Sequence, residues 1–140
     1  MFYQSMGTIE VNSQVGVILP TYCEAQNIEK LITDIENLPL NTTILVIDDS
    51  SPDGTAEIVK KLKQKWPNVR LIVRPQKSGL GSAITDGFKV FLSAENTPKY
   101  VVTMDADYSH NPKDLPKLIL AMRNGSGLVI GSRYCRGEKQ

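Results

Sequence analysis

Short apolar runs rich in β-branched residues recur at residues 15–19 (VGVIL), 43–47 (TILVI), 69–73 (VRLIV), 100–104 (YVVTM) and 128–131 (LVIG). Their length and near-continuous apolarity predict strands buried on both faces. Pro20 follows the first and is expected to stop it, because proline cannot donate to a ladder. Between the runs the spacing becomes helical. Ile28, Leu31, Ile32, Ile35 and Leu38 share one face, with Asn27 placed to cap that helix and Pro39 to close it. Val59, Leu62 and Trp66 mark a second helix, with Asp53 or Thr55 as its cap; Lys60, Lys61, Lys63 and Lys65 fall on its other faces and read as solvated. Leu80, Ala83, Ile84, Gly87, Phe88, Phe91 and Leu92 mark a third, with Phe88 and Phe91 in the core. Leu115, Leu118, Ile119 and Met122 mark a fourth, which Asn124-Gly125 is expected to end.

Strict alternation of strand and helix predicts an α/β fold, a mostly parallel sheet with helices on both faces. The polar segments 20–26, 48–55, 77–81, 105–111 and 132–136 all follow strands, so they converge on one sheet edge whatever the strand order. Residues 1–14 are polar and aperiodic and are expected to form a flexible arm without a function of its own.

Composition narrows the partners. The chain has 140 residues, 41% hydrophobic and 22% charged, with a net charge of +1, so no basic excess points to nucleic acid. No apolar run approaches the roughly 20 residues needed to span a bilayer. The first residues lack the pattern of a secretory signal, so a cytoplasmic location is expected. Cys23 and Cys135 lie far apart without metal-ligand spacing and read as free thiols of a reducing compartment.

The candidate chemistry sits where the fourth apolar run ends in two carboxylates one residue apart, Asp105 and Asp107. Carboxylates this close repel unless a cation or proton lies between them, and Mg²⁺ or Mn²⁺ shares such ligands with substrate phosphates. The plain alternative is a solvated loop in which Asn111 or Asp107 caps the helix after Pro112. Lys77, Gly79 and Gly81 open the third helix and could cradle a phosphate, but two glycines there also suit a tight turn, and the spacing matches no phosphate-loop motif.

Four blocks carry a resemblance to the family 2 glycosyltransferases of GT-A fold, and among them to the dolichyl-phosphate (polyprenol-phosphate) mannose synthases. Residues 20–24, PTYCE, resemble the family's P-T-Y-N-E, with Cys23 in place of the usual Asn. Residues 48–55, DDSSPDGT, resemble D-D-x-S-P-D-G-T. Residues 105–112, DADYSHNP, resemble D-A-D-x-S-H-x-P, and residues 131–134, GSRY, resemble G-S/T-R-Y. The resemblance spans residues 15 to about 137, and residues 15–140 are read as the catalytic domain, incomplete at its C-terminal end because the family continues with acceptor-binding loops and membrane-associating segments.

What the resemblance implies is specific. Pro20, Tyr22, Glu24, Ile47 and Asp49 would hold the nucleoside. Asp105, Ala106 and Asp107 would hold the donor, with Asp105 and Asp107 binding Mn²⁺ or Mg²⁺ and the diphosphate, and Ser109 a further weak ligand. Arg133 would face the diphosphate or the incoming phosphate, and Asp107 and Arg133 are the candidate catalytic residues. The implied reaction moves mannose with inversion from GDP-mannose to a polyprenyl phosphate, at the cytoplasmic face of a membrane. The acceptor needs no base, since a phosphate monoester with a second pKa near roughly 6 is largely ionised at pH 7. His110 is accordingly read as a loop or capping residue. Other readings are a polyprenol-phosphate glucosyltransferase or another family 2 enzyme, an inactive nucleotide-sugar-binding module, and a receiver-like signalling domain, which also carries acidic residues after a strand.

Overall fold

The computed structural model describes residues 14–123. Four strands alternate with helices along them: β1 (Val15–Thr21), α1 (Ile28–Glu36), β2 (Thr42–Asp48), α2 (Thr55–Lys65), β3 (Val69–Val73), α3 (Leu80–Ser93), β4 (Tyr100–Thr103), a 3₁₀ turn (Pro112–Asp114) and α4 (Leu115–Arg123). The strand order is β3-β2-β1-β4 and each neighbouring pair is parallel. The expected α/β architecture is therefore present. The strand expected over residues 128–131, together with Arg133 and Cys135, lies outside the described residues, as does the arm up to residue 13. Gln14, assigned to that arm, instead accepts the Tyr100 N–H at its carbonyl, 2.8 Å away, and so extends the ladder.

Alternation of side chains along each strand splits the core into two layers. Val17, Leu19, Ile44 and Val46 pack with Ile28, Leu31, Ile35, Val59 and Ile119, so α1, α2 and α4 cover one face. Ile18, Leu45, Ile47 and Ile72 pack with Ala83, Val90 and Phe91, so α3 covers the other. This second layer is tight because two positions lack a side chain. A Cβ on Gly16 would sit 2.8 Å from the Phe91 ring, and one on Gly87 would sit 2.7 Å from Ile18.

Three local expectations are corrected. β1 does not stop at Pro20 but runs through it to Thr21, in register with Ile47 and Asp48 of β2. Pro20 shares its hydrogen-bonding side with Ile18, whose carbonyl accepts from Met104 where pairing with β4 ends, so the missing N–H faces a side on which the ladder has already finished. Asn27 occupies the cap position of α1 without capping through its side chain, which donates to Glu24 instead. On α3, Leu80 and Leu92 are 55% and 68% exposed while Val90 is buried, so the inward face is narrower than the apolar periodicity implied. Phe91 is fully buried, Phe88 only half so.

The end of β1–β4 pairing is what opens the site. β2 and β3 lie on one side of β1 and β4 on the other, so the chain changes direction across the sheet between β1 and β4. Open sheets bind ligands at such a switch point, beyond the carboxyl ends of the strands. The order also separates this chain from the receiver-type arrangement, in which β2 is an edge strand.

Candidate active site

The loops after β1 and β2 are laced together. The Thr21 hydroxyl donates to Asp48 at 2.7 Å, and the Asp49 N–H to the Thr21 carbonyl at 3.1 Å. Beyond them the backbone N–H groups of Cys23, Glu24 and Ala25 donate to the side chains of Ser51, Thr55 and Asp53 at 2.8, 3.0 and 3.1 Å. Asp53 also accepts the N–H and hydroxyl of Thr55 at the start of α2. This explains why a loop of Asp, Ser, Pro and Gly follows β2: short polar side chains satisfy a neighbouring loop's donors where no ladder continues. Cys23 sits at φ 60, the left-handed region that Asn tolerates better than most residues, so the Asn that the resemblance puts at this position would suit the backbone.

From the other side of the switch point comes the acidic loop. Ser109 joins its two carboxylates, its hydroxyl donating to Asp105 at 3.2 Å and its N–H to Asp107 at 2.9 Å. His110 accepts the Asp105 N–H at Nδ1, 3.2 Å away, so a neutral ring carries its proton on Nε2; that atom is buried and has no hydrogen-bond partner among the described residues. Asn111 caps the 3₁₀ turn through the Lys113 N–H. Glu24 shows that the loops converge. Burial raises its pKa above the ordinary carboxylate value, the Asn27 hydrogen bond opposes this, and the negative charges of Asp107, Asp53 and Asp105 push it further up. Carboxylates from the loops after β1, β2 and β4 therefore share one field.

Not every candidate offers its side chain to this crevice. Tyr22, Asp107 and Ser109 are exposed, and Pro20, Glu24 and Asp105 half-buried. The Lys77 ammonium lies 4.5 Å above the centre of the Tyr22 ring. Ile47 and Ala106 are instead core residues, on opposite layers, leaving only their backbone for any ligand. Asp49 has both oxygens engaged: Arg74 Nε donates to one at 2.6 Å, and Arg74 Nη2 and the Ser78 N–H to the other at 2.9 and 3.0 Å. Burial alone would push its carboxyl up, but these hydrogen bonds and the Arg74 charge hold it below the usual range.

Arg74 is the residue that sequence reasoning missed. It is buried at the end of β3, and besides Asp49 it donates to Ser82 at 2.8 Å, Asp86 at 3.0 Å and the Gly79 carbonyl at 3.0 Å. One guanidinium thus organises residues 77–82 and the start of α3 around the second strand's carboxylate. Its signal in the sequence was a single cation between an apolar run and a loop with two glycines.

The donor set suits a hard cation. Asp105, Asp107 and Ser109 supply oxygen ligands only, and among the described residues no group of three His, Cys, Asp or Glu side chains closes a site by itself. A hard divalent ion held by two carboxylates takes its remaining ligands from substrate phosphates and water.

By fold and site, this is an open α/β protein with an acidic ligand crevice at the switch point of its sheet. The model of the Glycosyl transferase family 2 matches residues 16–140, and the chain belongs to that family. It is 46% identical over 128 residues to a dolichol-phosphate mannosyltransferase of Pyrococcus furiosus, covering 90% of this chain and 35% of that protein. It is 37% identical over 131 residues to a polyprenol monophosphomannose synthase of Mycolicibacterium smegmatis, covering 93% and 49%. The chain thus spans between about a third and a half of these relatives. Among solved structures, the mannosyltransferase PcManGT of Pyrobaculum calidifontis, in complex with GDP-Man and Mn²⁺, superposes with a TM-score of 0.59 at 27% identity, over 69% of this chain and 28% of that one. Residues 1–349 of S. aureus TarS superpose with a TM-score of 0.64 at 23% identity, over 79% and 32%, a likeness of fold. No helix among the described residues is long and apolar enough to cross a membrane.

Proposed function

We propose that this chain is the donor-binding part of an inverting, metal-dependent glycosyltransferase that moves mannose from GDP-mannose to a polyprenyl phosphate. The observation that carries this is Ser109 tying Asp105 to Asp107 at the switch point, in the same field as Glu24. The relatives named for dolichol-phosphate and polyprenol mannosyl transfer support the acceptor, and the Pyrobaculum structure with GDP-Man and Mn²⁺ supports the donor and the metal.

Asp105 and Asp107 hold Mn²⁺ or Mg²⁺, with Ser109 beside them. When bound, the ion supplies Lewis-acid stabilisation of the departing nucleoside diphosphate. The chain's own residues do the rest. Tyr22, exposed at the rim, offers a flat apolar face to the base, and Pro20 and Glu24 line the same loop. Asp49 acts through the loop that it and Arg74 hold, which keeps Lys77 near Tyr22. The acceptor phosphate attacks the anomeric carbon as an anion, so no side chain has to remove a proton. His110 accordingly serves the loop, accepting the Asp105 N–H. Arg133 neutralises charge where donor diphosphate and acceptor phosphate meet. A polyprenyl acceptor puts the reaction at a membrane surface, and the enzyme is proposed to sit peripherally at its cytoplasmic face.

The test is transfer of radiolabelled mannose by the intact protein to a polyprenyl phosphate in detergent, with Mn²⁺ or with chelator. Metal-dependent formation of β-mannosyl phosphate lipid from GDP-mannose is expected. Faster transfer from UDP-glucose, or equal transfer in chelator, would overturn the donor or the metal respectively.

A further inference from the structure

The acidic loop is held from outside the crevice. Tyr108 lies between Asp107 and Ser109 and adopts φ 63, a left-handed conformation costing a non-glycine residue roughly 1–2 kcal/mol. That conformation turns the side chain away from the crevice and onto α1. There the Tyr108 hydroxyl donates to Asp34 Oδ2 at 2.6 Å, and the Lys30 ammonium reaches the same oxygen at 3.0 Å. The ammonium also sits 4.7 Å above the centre of the Tyr108 ring and 3.4 Å from its hydroxyl. The ring packs against the core layer beneath α1. A short hydrogen bond, a cation over the ring and apolar packing thus converge on one loop residue.

What the anchor fixes follows from covalent geometry. The peptide units on either side of Tyr108 carry Asp107 and Ser109. Ser109 supplies both the N–H received by Asp107 and the hydroxyl received by Asp105. If Tyr108 moves, the group that spaces the two carboxylates moves with it.

We propose that Tyr108 and Asp34, with Lys30 holding Asp34, are positioning residues that latch the acidic loop to α1 and set the carboxylate spacing for the divalent cation. The inference rests on the metal reading of Asp105 and Asp107. The latch acts through the loop and lowers the cost of ordering it when the ion binds.

The test measures Mn²⁺ affinity of the intact protein by the electron paramagnetic resonance signal of free Mn²⁺, together with GDP affinity in chelator and thermal midpoint. The variants are Tyr108→Phe, which keeps the ring, Asp34→Asn, the double variant, and Asp107→Asn as reference. Outer partners of metal ligands are worth about 10–100-fold in affinity, and about 10-fold weaker Mn²⁺ binding is expected for each single variant, with the double variant no weaker than the worse single. Metal-free GDP affinity should stay unchanged. Undiminished Mn²⁺ affinity in Tyr108→Phe and Asp34→Asn, while Asp107→Asn loses it, refutes the latch alone. Undiminished affinity in Asp107→Asn refutes the metal reading beneath it. Equal loss of metal-free GDP binding and Mn²⁺ binding would show general damage and also refute the latch.

Discussion

Replacing Arg74 with Ala is a severe perturbation outside the apolar core. The side chains of Arg74 and Asp49 are only 3% and 7% exposed, so the change leaves a buried carboxylate without its cation, and Asp86, 17% exposed, loses its partner too. Breaking a buried pair by removing one member costs about 3–5 kcal/mol, because the desolvated charge remains. For a domain of this size, each kcal/mol lowers the thermal midpoint by roughly 3 °C, so a fall of about 10–15 °C is expected at pH 7. The pH dependence carries its own sign. Asp49 titrates below its ordinary value when folded, so its stabilisation is present above the unfolded carboxylate pKa of about 3.9 and is lost as pH falls through the lower folded value. In Arg74→Ala the burial that now dominates raises the Asp49 carboxyl, so the variant should regain relative stability as pH falls towards 4. Asp49→Leu combined with Arg74→Met should be more stable than Arg74→Ala. Thermal unfolding followed by circular dichroism between pH 4 and 8 reads all of this. A loss under about 1 kcal/mol for Arg74→Ala, the scale of an exposed ion pair, would refute the reasoning.

Two further outcomes follow from other parts of the molecule. Gly87→Ala gains about 1 kcal/mol of helix propensity, yet its Cβ would sit 2.7 Å from Ile18, and overpacking of roughly 1–3 kcal/mol should win; a raised thermal midpoint would count against the close packing of α3 on β1. If Arg133 stands where donor diphosphate and acceptor phosphate meet, as proposed, Arg133→Lys should lose more kcat than donor affinity, because a point charge would replace a guanidinium able to pair bidentately. Wild-type kcat with only a raised donor KM would make Arg133 a donor anchor instead.

The parallel sheet was legible because its strands are largely buried on both faces and are written as near-continuous apolar runs. What escaped depended on neighbours distant in sequence. Pro20 reads as a strand terminator unless it is known that β4 stops pairing at Ile18, 85 residues before Thr103 in the chain. Leu80 and Leu92 fit the helical period of α3, but periodicity does not say how wide an arc the sheet covers. The carboxylates of the site were visible because they stand where apolar runs end. Their arrangement was not: Arg74 meets Asp49 from 25 positions away, and Tyr108 meets Asp34 from 74. Asp49 and Ala106, inside family motifs, and Ile47, just ahead of one, show the same gap between motif and geometry, since none presents a free carboxylate or side chain to the crevice.

The central claim is that the carboxylates gathered between β1 and β4 bind a nucleotide sugar through a divalent cation. Calorimetric titration of GDP-mannose into the intact protein, with Mn²⁺ and with chelator, for wild type and Asp107→Asn, tests it most directly. Asp107 is exposed on a loop and supports no core, so the variant should keep the wild-type thermal midpoint. The account predicts tighter binding with Mn²⁺ in the wild type, and in Asp107→Asn only the weak binding that the wild type shows in chelator. Equal Mn²⁺-enhanced affinity in both proteins would contradict it.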